Sequence, residues 1–226
     1  MPREIKDIKM AEAQLKHHQF HHHTTTVSGG APPRRSARVR AVMGGGRAAE
    51  LIKSGAVSAI APKEAASAMA SEGYRLLDVR PEWEWEKARV SGSLHVPLFV
   101  EDKDKGAITL LKKWVHFGYI GLWTGQQFTM MNPAFVDEVA RMAPDKDSKL
   151  LLACGEGLRS LVGVAKLYEV GYRKLGWLAG GFGRASDGDF GGAVEGTEKL
   201  QYATVGGASY YMLKLLLLLR VVGDKS

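Results

Sequence analysis

The sequence predicts an α/β fold, a three-layer sandwich around a mainly parallel central sheet. Three observations carry that expectation. Short apolar runs of strand length at 74–79, 149–153 and 174–178 alternate with amphipathic stretches of helical period. The runs are continuously apolar, as in strands covered by helices on both faces. The segments joining them are short and hold Gly, Pro, Asp or Ser. At 226 residues, with 45% hydrophobic and 24% charged residues, the chain is expected to form one globular domain with flanking segments.

Apolar periodicity begins at Ala48, and residues 61–69 read as a short helix with Pro62 in its first turn. The run from Tyr74 to Val79 then forms a buried strand that delivers Asp78 to its carboxyl end. Asn132 and Pro133 open a helix that carries Phe135, Val136, Val139 and Met142 on one face and stops near Pro144. After the polar turn 144–148, Lys149 to Ala153 is a second buried strand, with Cys154 immediately beyond it. Leu158, Leu161, Val162, Ala165 and Tyr168 form a helical stripe that ends at Gly171, a left-handed cap. A third strand, Lys174 to Leu178, runs into Gly180 and Gly181. In open α/β sheets ligands gather outside the carboxyl ends of the strands, which is where Cys154 falls.

The flanks differ from this pattern. Residues 1–47 hold nine Lys+Arg against three Asp+Glu, whereas the rest holds 22 against 21. The basic excess therefore sits in a head rich in His, Thr, Gly and Pro, expected to be poorly ordered, and nucleic-acid binding is not expected. Residues 31–41 combine arginines with small residues and no acid, resembling the tail of a chloroplast transit peptide, although Glu4, Asp7 and Glu12 depart from such a peptide. The histidines at 17, 18 and 21–23 have no thiolate or carboxylate partner to fix a geometry, so no metal site is expected there. At the other end, Val205 to Leu219 is apolar but interrupted by Lys214, leaving pieces short of the ~18 residues of a spanning helix. Peripheral membrane attachment or a protein partner through Val205 to Leu219 stands level with insertion.

The single cysteine excludes an intrachain disulfide and a four-cysteine metal cage, and leaves Cys154 without a resolving thiol. Its surroundings are those of a reactive group. In Cys154-Gly155-Glu156-Gly157-Leu158-Arg159-Ser160 the two glycines permit a tight positive-φ turn that aims several N–H groups at one sulfur. The next helix points its positive end there, and Arg159 supplies a cation, so the loop is expected to favour a thiolate, the nucleophilic form. A lone cysteine is more often a small buried hydrophobe, but that reading suits an apolar helix and not a Gly-rich loop.

Cys-x-x-Gly-x-Arg-Ser after an apolar strand resembles the active-site loop of single-domain rhodaneses. Upstream, Asp78-Val79-Arg80, Glu84-Trp85, Gly92-Ser93 and Pro97 resemble the family's first signature; downstream, Gly171-Tyr172 and Leu178-Ala179-Gly180-Gly181 resemble its last. Ala88-Arg89 stands where the first signature usually has Gly-His. The likeness spans about residues 56–190 and is to plant chloroplast members in particular. It implies a rhodanese-like sandwich at 48–200, between the head at 1–47 and an apolar tail at 201–226. Residues 98–131 exceed what a minimal rhodanese needs. Their Trp114, Phe117, Tyr119, Trp123 and Phe128 are expected to close a local core, with a lid or partner surface as the alternative.

The resemblance also implies the chemistry. Cys154 would take sulfur from a small-molecule or protein-bound donor, hold it as a persulfide in the loop 155–160, and pass it to a thiol acceptor, with no cofactor. Asp78 is read as an organising residue near Arg159, and Arg80 and Glu84, four apart, as a local pair. Gly180-Gly181-Phe182-Gly183 lacks the spacing of a dinucleotide loop, and 187–192 reads as a loop. Phosphatase chemistry needs five residues between Cys and Arg to wrap a phosphate monoester, and here there are four. The remaining alternative is a non-catalytic binding or scaffold module in the plastid.

Overall fold

The structure is a computed structural model that describes the backbone of residues 46–223 and the side chains of 46–220. The transit-peptide-like stretch and the histidine cluster lie outside the described residues. In chain order the elements are helix α1 (46–53), strand β1 (Val57–Ile60), helix α2 (Ala65–Ser71), strand β2 (Arg75–Asp78), helix α3 (Glu82–Trp85) and strands β3 (Ala88–Val90), β4 (Leu94–His95) and β5 (Phe99–Glu101). Then come helix α4 (Ala107–His116), strand β6 (Thr129–Met131), helix α5 (Phe135–Met142), strand β7 (Leu150–Ala153), helix α6 (Leu158–Glu169), strands β8 (Leu175–Leu178) and β9 (Val194–Gly196), and helix α7 (Gly207–Gly223).

The central sheet has the order β1-β8-β7-β2-β4, and every pairing in it is parallel. Strand β7 lies at its middle, with Asp78 opposite Ala153 and Trp177 opposite Leu152. Strand alternation sorts the side chains into two cores. Leu150 and Leu152 pack with Leu77, Val79, Leu175 and Trp177 against α1, α5 and α6. Leu151 and Ala153 face the other way, with Ile60, Leu76, Leu178, Phe182 and Phe190. This is the three-layer arrangement. Leu150, Leu151 and Leu152 are fully buried, each stabilising by about 2 kcal/mol relative to exposure.

Local chemistry sets the element ends that frame the site. Ahead of α5, Asn132 closes a turn by accepting from the Ala134 N–H at 3.0 Å, while its amide donates to the Pro97 carbonyl and to Glu138. Phe135 and Val139 are buried, but Met142, expected on the same face, is 44% exposed because α5 ends there. At Gly171 φ is +103°, the positive value expected for the residue that closes α6.

Two antiparallel ribbons, β3 with β9 and β5 with β6, were not expected from the sequence. Strands of three residues are too short to show a period. The stretch 187–192, read as a loop, contains a 3-10 turn over Asp187–Phe190 with Phe190 buried.

The aromatic stretch departs most from expectation. Helix α4 continues through a π-helical turn (Phe117–Gly121) and a last turn (Leu122–Thr124) without bending back on itself. Trp114, Phe117, Tyr119 and Trp123 are therefore exposed and close no local core; Phe128 alone is tucked in, edge-on to His116. Among the described residues no helix is long and apolar enough to cross a membrane.

Candidate active site

Strand β7 ends at Ala153, and the chain turns at once, so Cys154 begins the loop above the middle of the sheet. Only Gly157 adopts the left-handed backbone, with φ +86°. The expectation that both glycines supply positive φ is corrected at Gly155, which is required for another reason. A Cβ there would collide with the Thr204 side chain, whose Cγ2 would lie 3.0 Å away.

The loop wraps the sulfur. The N–H groups of Gly157 and Ser160 point at Cys154 Sγ from 3.2 and 3.3 Å, and the Ser160 hydroxyl lies 3.5 Å from it. That hydroxyl donates to the Gly157 carbonyl at 2.9 Å. While it does so, the thiol can donate to Ser160 Oγ; on loss of the thiol proton, the hydroxyl hydrogen can swing to the sulfur. The cradle faces the first turn of α6, whose free N–H groups and dipole favour negative charge.

A second layer fixes the cradle. Trp177 Nε1 donates to the Gly157 carbonyl at 2.9 Å, and the N–H groups of Phe182 and Gly183 donate to the carbonyls of Cys154 and Gly155 at 2.8 and 2.7 Å. Gly181 must be glycine for this contact, since a Cβ would lie 2.6 Å from both the Gly155 carbonyl and the Gly157 nitrogen. The glycines at 180–183 thus buttress the Cys154 loop.

The charged residues pair differently from the sequence expectation. Arg80 and Glu84 do not pair. Buried Arg80 forks onto Asp78, with Nε at 3.0 Å and Nη2 at 2.6 Å, donates to the Ala88 carbonyl and lies over the Phe182 ring. Asp78 is therefore engaged by Arg80 and not by Arg159. The partner of Arg159 is Glu84, through two hydrogen bonds of 2.8 and 2.6 Å. Burial alone would push the Arg159 guanidinium's pKa down, but hydrogen bonding and attraction to Glu84 outweigh it and the net shift is upward. Arg159 stands beside the sulfur as half of an ion pair, so its cation is largely balanced.

Glu84, which the sequence reading paired with Arg80, belongs to the site through Arg159 instead. Its signal was a carboxylate in the four-residue helix Glu82–Trp85 that has to point inward; Glu84 is 4% exposed while Glu82 is exposed.

A cleft of about 250 Å³ opens over the loop, lined by Cys154, Glu156, Leu158 and Arg159 below and by Trp83, Gln127, Thr129 and Thr204 around its walls. A neighbouring cleft of about 480 Å³ shares Glu156, Gln126 and Thr204 and continues past Gly180 and Arg184 towards Ser209. Glu156 is exposed at the rim. Cys154 itself is fully buried, beneath walls supplied by the 98–131 stretch and by Thr204. Among the described residues no group of three or more His, Cys, Asp or Glu could hold a metal ion.

The rhodanese-like domain family matches residues 61–185, more than half of the chain and all of the loop just described. The chain belongs to the rhodanese-like family. Rhodanese-like domain-containing protein 10 of Arabidopsis thaliana is 66% identical over 177 residues, covering 78% of this chain and 82% of its own length. Rhodanese-like domain-containing protein 11, chloroplastic, of the same plant is 40% identical over 72% of this chain and 54% of its own. Rhodanese-like domain-containing protein 9, chloroplastic, also from Arabidopsis thaliana, is 38% identical over 57% of this chain and 54% of its own.

Proposed function

We propose that this rhodanese-like chain is a plastid sulfurtransferase that carries sulfur on Cys154. The observation that supports it is the cradle: two backbone N–H groups and one hydroxyl converge on a single sulfur at the floor of a cleft and at the positive end of α6. Such a site stabilises negative charge on Cys154 Sγ and on a sulfur bonded to it.

The reaction needs no cofactor. The Cys154 thiolate attacks the outer sulfur of a donor such as thiosulfate; the S–S bond of the donor breaks and sulfite leaves with the electron pair, leaving a Cys154 persulfide anion. An acceptor thiolate then attacks the terminal sulfur, takes it as its own persulfide and returns Cys154 as thiolate. The sulfonate sulfur of thiosulfate is reduced as sulfite leaves with the electron pair, the Cys154 sulfur is oxidised in the same step, and no external oxidant or reductant enters. The plastid assignment rests on the acid-free basic stretch 31–41 and on the compartment carried in the names of two relatives.

Intact-mass measurement tests this reading. Wild type exposed to thiosulfate and, separately, to mercaptopyruvate should gain one sulfur mass with at least one donor, and Cys154→Ser with neither. Wild type that never gains sulfur overturns the reading.

One observation favours a second reading, a non-catalytic binding module: Cys154 is fully buried and Thr204 closes on Gly155 beside it. A co-purifying partner retained by Cys154→Ser but lost on deleting 205–226 would favour that module.

A further inference from the structure

Two helices outside the sheet present apolar surface to solvent. On α4 and the turns that continue it, Ile108, Trp114, Phe117, Tyr119 and Trp123 are 54–83% exposed; on α7, Leu215, Leu216, Leu218 and Leu219 are 57–62% exposed. Soluble monomers rarely expose contiguous apolar surface on this scale.

The two helices are joined into one feature. At the end of α4, Gly125 meets Gly206 and Gly207 at the start of α7; a Cβ on Gly125 would lie 2.6 Å from the Gly207 nitrogen, and one on Gly206 would lie 2.9 Å from the Thr124 carbonyl. Only glycines allow this crossing. The first two turns of α7 are also tied down, since Tyr210 and Lys214 donate to Glu198 at 2.6 and 3.0 Å. Beyond that anchor the leucine-rich half projects from the domain.

We propose that this face docks on a membrane leaflet containing anionic lipid. Three properties select lipid over a protein groove. First, successive residues of a helix are turned by about 100°, so the exposed Leu215, Leu216, Leu218 and Leu219 spread over about 160° of its circumference. That arc is broader than the ~100° stripe that packs on a protein core and suits a helix lying in the plane of a membrane interface. Second, α4 and the turns that continue it expose Trp114, Tyr119 and Trp123, side chains with an apolar body and a polar tip that settle at the headgroup boundary. Third, the charge is complementary to an anionic surface. Residues 105–124 hold Lys105, Lys112 and Lys113 and no acid, and 199–223 hold Lys199 and Arg220 besides Lys214, whose charge Glu198 balances.

The geometry is insertion into one leaflet. The 17 residues of α7 rise about 25 Å, short of the ~30 Å hydrocarbon core, and Arg220 can carry its charge back to the headgroups while Lys214 stays on Glu198. The larger cleft beside Cys154 is lined by Thr124 and Gly206 of this crossing, so docking holds the site mouth near the lipid surface.

The test is sedimentation of the full chain with vesicles of phosphatidylcholine alone and of an equimolar mixture with phosphatidylglycerol. Two double variants accompany it, Leu215→Glu with Leu218→Glu and Trp114→Glu with Trp123→Glu. All four side chains are exposed, so circular dichroism should report an unchanged fold. Wild type should sediment with the mixed vesicles, and each double variant should bind at least about tenfold more weakly. Failure of wild type to sediment overturns the proposal. So does binding undiminished in both variants, which would assign it to the basic residues of 1–47. An oligomer that the variants dissolve, with no vesicle binding by wild type, would make the face a self-association surface instead.

Discussion

Arg159 and Glu84, 75 positions apart, face each other across the cleft floor in a forked ion pair of 2.8 and 2.6 Å. The Glu84 side chain is 5% exposed and that of Arg159 24%, so solvent screens this contact weakly. The pair ties helix α3 to the first turn of α6 and thereby to the loop around Cys154 Sγ. Glu84→Gln removes the charge that balances Arg159 and one of its acceptor oxygens. The expected loss is about 2 to 3 kcal/mol of unfolding free energy, below the cost for a fully buried pair because Arg159 retains some water. Urea unfolding of wild type and Glu84→Gln measures it, and equal midpoints with equal slopes would show that the pair contributes nothing.

Asp78 and Arg80 show how much of the site the sequence exposed and where it stopped. The strand Tyr74 to Val79 and the loop after Ala153 were legible because continuous apolar runs bounded by Gly, Pro and Asp leave few alternatives. Which acid meets which cation was not legible, because i,i+4 spacing decides pairing only within a helix, and Arg80 lies at a bend before α3. Glu84 found Arg159 through tertiary packing, to which local spacing is blind. The exposed aromatics of α4 were misjudged for a related reason. Irregular spacing says that a stretch is not a simple amphipathic helix, but not whether anything covers it.

Thr204 closes on Gly155 where a Cβ would have no room, and Cys154 lies buried next to it. Thr204→Gly should open that wall and leave the central sheet intact, since Thr204 lies outside both buried cores. Alkylation of Cys154 by iodoacetamide, followed by intact mass, should proceed several-fold faster in the variant. An unchanged rate would mean that access is limited elsewhere, by the 126–129 wall.

Glu198 holds the start of α7. The Tyr210 hydroxyl, followed by the Lys214 ammonium, keeps its carboxyl below the ordinary Glu value of 4.5. A carboxylate depressed in the folded state stabilises fully above the unfolded pKa, and that contribution is lost as pH falls through the folded value. Amide exchange in 207–214 should therefore accelerate, after correction for intrinsic rates, as pH drops below the usual Glu range. Glu198→Gln should show the faster exchange already at neutral pH. A variant protected like wild type at neutral pH would remove Glu198 as the anchor.

Glu156 stands exposed at the rim of both clefts and places a negative charge where an anionic donor must pass. If Cys154 carries sulfur as proposed, that charge opposes thiosulfate and favours a less anionic or protein-bound donor. Glu156→Lys reverses the local sign. At roughly 8 Å in water, changing the residue by two charges against a dianion is worth about 2 kcal/mol before screening. Ionic screening reduces this to about 1.5 kcal/mol at ~0.01 M salt and nearly nothing at ~1 M. Glu156→Lys should therefore lower KM for thiosulfate by about tenfold at the lower ionic strength, with the gain vanishing at the higher one and kcat little changed. The competing expectation follows from the position of Glu156 just before α6, where a carboxylate stabilises the helix start. If that is its whole contribution, Glu156→Lys lowers the melting temperature and leaves KM unmoved. Steady-state kinetics at the two salt concentrations, read beside thermal melts, separates the outcomes, and an unchanged or higher KM at low salt would refute the charge argument.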